Sequence, residues 1–325
     1  MKRIPLIYIL AASHSGSTLL AMLLGSHPRI CTVGELKASS FDDIDRYICS
    51  CQRRIRECSF WMGISEDMAL KGFSFDITHA GTDIRSGATL YVQWCLKFLH
   101  RGPFLEGIRD AALALSVSWR SQLRRVRQVN VALMECLCHR TGKAIIVDSS
   151  KIGLRLKYLL LDPALDVRVI RLVRDGRAVA LTYMNPVEFA DARAPNLRGG
   201  GTGGDREFER LSMEKAAHEW RRSNEEAEAI SRRLDRSKWI EVHYEALCTE
   251  PDRTLHQLFD FIGVDPVAGS RSFRSIEHHM IGNGMRLDST PEIRLDERWR
   301  EVLSPSDLEI FDPIAGRLNR QLGYE

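Results

Sequence analysis

The sequence has no apolar run approaching the ~18–20 residues that a membrane-spanning helix needs, so no transmembrane segment is expected. Charge of one sign is also scarce. Its 46 Lys and Arg residues face 43 Asp and Glu, a net charge of +3 over 325 residues. That balance excludes the broad basic surface of a nucleic-acid-binding domain, and no nucleic acid partner is expected. Eight cysteines are too sparse in a chain of this length for a disulfide framework. Cys49, Cys51 and Cys58 do cluster, but structural zinc takes four Cys or His ligands, so no metal ligand is assigned. Apolar residues make up 44% and charged residues 27%, enough for a core without recourse to disorder or a folding metal. The expectation is a cytoplasmic protein of bacterial type.

What is present is an alternation of strand and helix signals. Met1-Lys2-Arg3 followed by the apolar residues 4–12 has the look of a short signal peptide. Cleavage after Ala12 would remove the strand that introduces the next motif, so residues 4–10 are read as a buried first strand. A small-residue turn, Ser13-His14-Ser15-Gly16-Ser17, leads into a helix over 18–25. Further strands are expected at 144–147, 167–173 and 239–244, and helices at 90–99, 111–140, 154–161, 178–183, 212–234 and 253–262; residues 31–61 read as irregular. The alternation predicts an α/β fold, a central parallel sheet flanked by helices in three layers, over a single domain spanning 1–325. Gly199-Gly200-Gly201-Thr202-Gly203-Gly204 reads as a flexible surface loop or a lid.

Two segments carry chemistry. In the first, strand, small-residue loop and helix N-terminus offer free backbone N–H groups and a favourable dipole to an anion, and glycine allows close approach. Ser17 and Thr18 add hydroxyls. A nucleotide triphosphatase loop would need a first glycine and a lysine that are both missing, although Asp148, ending Ile145-Ile146-Val147-Asp148, stands where a magnesium-holding aspartate could. The second segment, Arg171-Leu172-Val173-Arg174-Asp175-Gly176-Arg177, puts an arginine at a strand's C-terminal end, where open α/β sheets bind ligands. Arginine suits bidentate phosphate recognition, and Thr182 follows in the next helix; a salt bridge between Arg174 and Asp175 is the plainer alternative. The Arg-rich stretches at 168–177 and 294–300 suit an anionic cofactor, whereas 120–127 reads as a solvated helix face.

Together the two segments resemble the PAPS-dependent sulfotransferase family (PAPS being 3′-phosphoadenosine 5′-phosphosulfate), in the branch holding bacterial, carbohydrate and tyrosylprotein sulfotransferases. His27-Pro28, Gly34-Glu35, Cys49-Ser50-Cys51 with Cys58-Ser59-Phe60-Trp61, Tyr244-Glu245-Ala246-Leu247 with Pro251, Gly282-Asn283-Gly284-Met285-Arg286, Trp299 and Leu322-Gly323-Tyr324 extend the likeness over nearly the whole chain.

The resemblance implies a P-loop-like fold and transfer of a sulfuryl group from PAPS to a hydroxyl-bearing acceptor (saccharide, tyrosine, lipid or small natural product), with adenosine 3′,5′-bisphosphate released. It places Ser15, Gly16, Ser17, Thr18 and Leu19 around the phosphosulfate, Arg174 and Thr182 on the 3′-phosphate, and Asn283, Gly284 and Arg286 over the nucleotide. Glu35 is the implied general base and Lys151 a candidate for stabilising the transferring group. His14 stands where the family carries lysine or arginine, and would act as an imidazolium or as a neutral donor. Residues 41–127 and 185–210, outside the cofactor motifs, would shape the acceptor pocket. An ATP-dependent kinase or NTPase, or a nucleotide-binding module without catalysis, are the competing readings.

Overall fold

The computed structural model of the chain describes residues 3–325 except 38–42, 99–102, 203, 205, 269–272, 275, 277, 289 and 291. Its strands are β1 (Ile4–Ala11), β2 (Ile30–Thr32), β3 (Ile145–Lys151), β4 (Leu165–Val173) and β5 (Trp239–His243). They form one parallel sheet in the order β2-β3-β1-β4-β5. The expected α/β architecture with a parallel sheet between helical layers is what the chain adopts. Among the described residues no helix is long and apolar enough to cross a membrane.

β1 lies at the centre and shows why the sheet is covered twice. Successive side chains on a strand point to opposite faces. Leu6, Tyr8 and Leu10 enter one core with Trp61, Leu133 and Leu137 from the helices Ser59–Leu70 and Val117–Thr141. Ile7, Ile9 and Ala11 enter the other, with Leu20 and Leu23 of the helix Ser17–Gly25 and Leu255 and Phe259 of the helix Pro251–Ile262. A strand buried on both sides therefore reads as an unbroken apolar run. β3 and β4 flank β1, so the sheet's connections diverge at β1's C-terminal end and open a crevice there.

Three expectations change. The helix expected over 111–140 is two helices, Pro103–Ala114 and Val117–Thr141. The break comes at Ser116, whose hydroxyl accepts the Trp119 N–H at 3.2 Å and caps the second helix. The stretch 31–61 holds β2, a strand too short to show periodicity, which pairs with β3 through Ile30, Cys31 and Thr32. The glycine-rich stretch is not an exposed surface loop in its described part (203 lies outside it): Gly199, Gly200, Gly201 and Gly204 are buried, and Gly201 and Thr202 line the crevice. A Cβ on Gly201 would overlap the backbone of Gly284, and one on Gly200 would press on Ile48. Here glycine serves close packing, which sequence composition cannot separate from mobility.

Candidate active site

The turn after β1 is shaped by two left-handed residues, His14 (φ 63°) and Gly16 (φ 87°), before the helix Ser17–Gly25 begins. Gly16 is sterically required, because a Cβ there would overlap the Tyr244 ring. No side chain caps the helix. Its first-turn N–H groups have no acceptor within the helix and point into the crevice as an anion cradle. Ser15 lies behind this turn, off the cavity wall, with its buried hydroxyl unpartnered among the described residues.

The crevice is a cavity of about 1150 Å³, somewhat larger than the range of ~300–1,000 Å³ usual for a small-molecule site. One wall is His14, Gly16, Ser17, Thr18 and Leu19. Glu35 and Lys151 form a second, and Arg174 and Thr182 a third, with Asn283 at the edge. Residues from five separate parts of the sequence thus meet at the C-terminal end of the sheet.

Glu35 and Lys151 form an ion pair in which the lysine ammonium donates to the carboxylate. Lys151 ends β3 in a left-handed conformation (φ 70°) that a non-glycine residue adopts at a cost. Gly34 (φ 83°) bridges to Ile281 so closely that a Cβ would overlap the Ile281 carbonyl, and this contact sets Glu35 against Gly282. Burial pushes the Glu35 carboxyl up, but Lys151, with Lys37 and Arg206, outweighs it and holds the group below its ordinary value. Glu35 is therefore a carboxylate at neutral pH. For His14 every influence runs one way. Its depth in the crevice, then Arg206, Lys151 and Arg174, hold it well below the ordinary histidine value. Of the two forms considered from sequence, the structure favours the neutral imidazole, packed edge-on to Tyr183 with ring centroids 4.6 Å apart.

Arg174 does not pair with Asp175, which instead caps the helix Gly176–Met184 and binds Arg177. The Arg174 guanidinium lies over the Tyr244 ring, 4.4 Å from its centroid. It donates to the His14 carbonyl at 2.8 Å and to the Asp296 carboxylate at 3.1 Å, while its buried Nε has no partner among the described residues. Burial pushes Asp296 up, yet Arg298 and Arg174 hold it at about 2. The Thr182 hydroxyl is buried and donates to the Ala178 carbonyl of its own helix at 3.0 Å.

The late loop departs from expectation. Asn283 caps the short turn Gly284–Leu287 by accepting the Met285 N–H at 2.9 Å. Gly284 packs against Asp191 and lies off the cavity wall. Arg286 does not close over the cavity. It is buried, and its guanidinium donates to the carbonyls of Met280, Gly201 and Asn283 at 2.8, 3.2 and 3.0 Å, and to those of Ile48 and Gly282. It ties three loops together and is not among the residues that line the cavity. Besides Lys151 and Arg174, the cavity has cations at positions not singled out from sequence, among them Lys37, two residues beyond Glu35, and Arg206, within the 185–210 stretch.

Asp148, the position that left a magnesium-dependent phosphoryl transfer open, is fully buried and lies off the cavity. Its carboxylate is held by Arg155 at 3.0 Å and by the Ser150 and Leu36 N–H groups at 2.9 and 3.3 Å.

The neutral donor, the carboxylate–ammonium pair, the open helix amides and a guanidinium with a spare Nε form a site for an anionic group beside a proton acceptor. An adenosine bisphosphate moiety fits it: the first-turn amides of the helix Ser17–Gly25 have no side-chain cap, and the unpartnered Arg174 Nε suits a phosphate oxygen. Residues 130–268 match a family model described as "Sulfotransferase family". The human protein named carbohydrate sulfotransferase 2 is 29% identical over 201 residues, covering 52% of this chain and 37% of that protein; the mouse protein of the same name matches equally. The chain thus spans well under half the length of these relatives. Among solved structures, the sulfotransferase STF9 from Mycobacterium avium superposes with a TM-score of 0.51 at 11% identity, over 100% of this chain and 78% of that one. A sulfotransferase domain from the curacin biosynthetic pathway gives a TM-score of 0.48 at 19% identity, over 100% and 99%. The family model and the named relatives point to one family, the sulfotransferases, and the superposition on STF9 supports the P-loop-like fold.

Proposed function

Starting from that family and fold, we propose that the chain transfers a sulfuryl group from PAPS to a hydroxyl acceptor and releases adenosine 3′,5′-bisphosphate. The observation that carries the reading is the ionised Glu35, paired to Lys151, in the same cavity as the amide cradle at Gly16 and Ser17. PAPS would supply an activated sulfur whose bond to the phosphate oxygen breaks as the acceptor oxygen bonds to it. Glu35 accepts the proton that the acceptor hydroxyl loses. The helix amides and the neutral imidazole of His14 donate to the negative charge that builds on the departing phosphate. The Lys151 ammonium, near both Glu35 and His14, offsets charge on the transferring group. Arg174 holds the 3′-phosphate through its free Nε, with the Thr182 hydroxyl beside it once turned from Ala178.

The phosphoryl-transfer reading loses its support, since the loop lacks the lysine and Asp148 is committed to Arg155. Acceptor screening begins with saccharides, because the curated relatives carry the name of carbohydrate sulfotransferases.

Calorimetric titration tests the donor site. Adenosine 3′,5′-bisphosphate is expected to bind more tightly than ATP with magnesium. Arg174→Ala removes a charged hydrogen-bond partner worth ~1.5–3 kcal/mol, so the bisphosphate Kd should rise about 10- to 150-fold. Preference for ATP with magnesium would refute the proposal, and an unchanged Kd in the variant would remove Arg174 from the site.

A further inference from the structure

Cys49, Cys51 and Cys58 cluster in sequence without a fourth zinc ligand beside them. The fold supplies it from 221 residues away. The ligand atoms of Cys49, Cys51, Cys58 and His279 all lie within 4.8 Å of one another. The Cys58 Sγ is 3.7 Å from the Cys51 Sγ, 3.8 Å from the Cys49 Sγ and 3.4 Å from the His279 Nδ1. Zinc bonds of ~2.3 Å to sulfur and ~2.0–2.1 Å to nitrogen at tetrahedral angles put neighbouring ligand atoms ~3.5–3.8 Å apart, so these edges already have the spacing of a coordinated ion. We propose that Cys49, Cys51, Cys58 and His279 form a structural zinc site that fastens the 49–58 segment to the loop carrying Gly282.

The backbone around each ligand is arranged for this. The Cys49 N–H donates to the Arg53 carbonyl at 2.8 Å and the Gln52 N–H to the Cys49 carbonyl at 2.9 Å, with Gln52 left-handed at φ 67°. This tight turn turns Cys49 and Cys51 to one side. Cys58 stands at the N-cap of the helix Ser59–Leu70, where the dipole favours a thiolate. His279 is held left-handed at φ 48°, a conformation that costs energy in a non-glycine residue. Its ring stacks on Phe60 at 4.3 Å and 2° between planes, and its carbonyl accepts the Trp61 indole N–H at 3.1 Å. Next to it, the Met280 N–H donates to the Ser50 hydroxyl at 2.7 Å. Phe60, Trp61 and Ser50 together fix the imidazole's position, which is the outer support a metal ligand needs.

Three sulfurs and one imidazole select zinc over the oxygen-seeking cations. Four protein ligands leave no open position, so the ion is structural. Three thiols also fit this role better than a disulfide, which would use two sulfurs and leave the third thiol and the imidazole against it. The consequence reaches the catalytic cavity. Three residues beyond His279, Gly282 lies against the Glu35 side chain, and its N–H donates to the Tyr47 hydroxyl at 2.7 Å. Zinc thereby fixes the wall behind Glu35 without touching substrate. The inference is independent of the sulfuryl-transfer reading.

The test is elemental analysis of the purified, reduced full chain, produced with zinc in the medium and no chelator. About one equivalent of zinc per chain is expected for one closed four-ligand site. A mercurial reagent should release it in step with loss of three thiols, and cobalt loaded in its place should show the intense visible bands of tetrahedral thiolate coordination. Cys58→Ser and His279→Ala should lose the metal, while Cys138→Ser keeps it. Should the first two variants fail to fold, the wild-type chain still decides. Folded protein that holds no zinc after supply under reducing conditions overturns the proposal. So does a non-reduced mass short of a hydrogen pair with Cys51 and Cys58 in one cross-linked peptide.

Discussion

Glu35→Gln is expected to lower kcat by ~10²–10⁴-fold, the usual worth of a positioned general base, while the affinity for adenosine 3′,5′-bisphosphate changes little. The amide keeps the side chain's shape and still accepts a hydrogen bond from Lys151, so loss of turnover would report the lost proton acceptor and not a collapsed wall. The pH profile adds an independent check. Because the carboxyl sits below its ordinary value, the active carboxylate persists as pH falls and is lost only on passing through that depressed value. The acidic limb of kcat/KM should therefore lie below the ordinary glutamate range. Lys151 is the strongest influence holding the carboxyl down. Lys151→Met should then move the acidic limb upward, as burial acts unopposed by its charge, and should lower kcat as well. Turnover of Glu35→Gln at the wild-type rate would rule Glu35 out. An unmoved limb in Lys151→Met would show that the profile reports some other group.

Much of this architecture was legible because its physics is local. β1 is buried on both faces and appears as an apolar run, β4 is rich in Val, Ile and Leu around Arg168 and Arg171, and each is followed by a turn and a helix start that the small residues at Ser13–Ser17 and the Asp175–Gly176 pair announce. The cavity-lining residues His14, Gly16, Ser17, Thr18 and Arg174 follow those strand ends directly. What escaped depends on partners remote in sequence. Arg286 looks like a free cation, yet carbonyls of residues 48, 201, 280, 282 and 283 consume it. Gly201 looks mobile, yet Gly284 packs where its side chain would be. His279 has no motif of its own; the bridge of Gly34 to Ile281, the Ser50–Met280 hydrogen bond and the contacts with Phe60 and Trp61 bring it to the cysteines. Asp148 was read for what a strand-end aspartate can do in a triphosphatase loop, and only the fold shows Arg155 upon it.

That buried pair gives the largest expected stability effect. Asp148 is 0% exposed and Arg155 2%. Arg155 also donates to the Thr82 carbonyl and the Asn130 side chain, both at 2.7 Å, so each of its three guanidinium nitrogens has a partner. Arg155→Met leaves the Asp148 carboxylate buried without its counter-ion, and breaking such a pair costs ~3–5 kcal/mol. The urea midpoint should fall with little change in slope. Pairing Arg155→Met with Asp148→Asn removes the stranded charge, and the double variant should recover part of the loss, giving a coupling of ~0.5–3 kcal/mol between the two positions. The same network reaches the chemistry through position alone. One Asp148 oxygen accepts the N–H groups of Leu36 and Ser150, the residues next to Glu35 and Lys151, and the Ser150 hydroxyl accepts the Lys37 N–H at 2.9 Å. Asp148 is thus a positioning residue for the carboxylate–ammonium pair. Arg155→Met should lower kcat at temperatures where the variant is still folded, with the bisphosphate Kd nearly unchanged, because the amide cradle at Gly16 lies outside this network. Unaltered stability in Arg155→Met would refute the role given to the pair. A loss of bisphosphate affinity as large as the loss of kcat would mean that the damage spreads beyond Glu35 and Lys151.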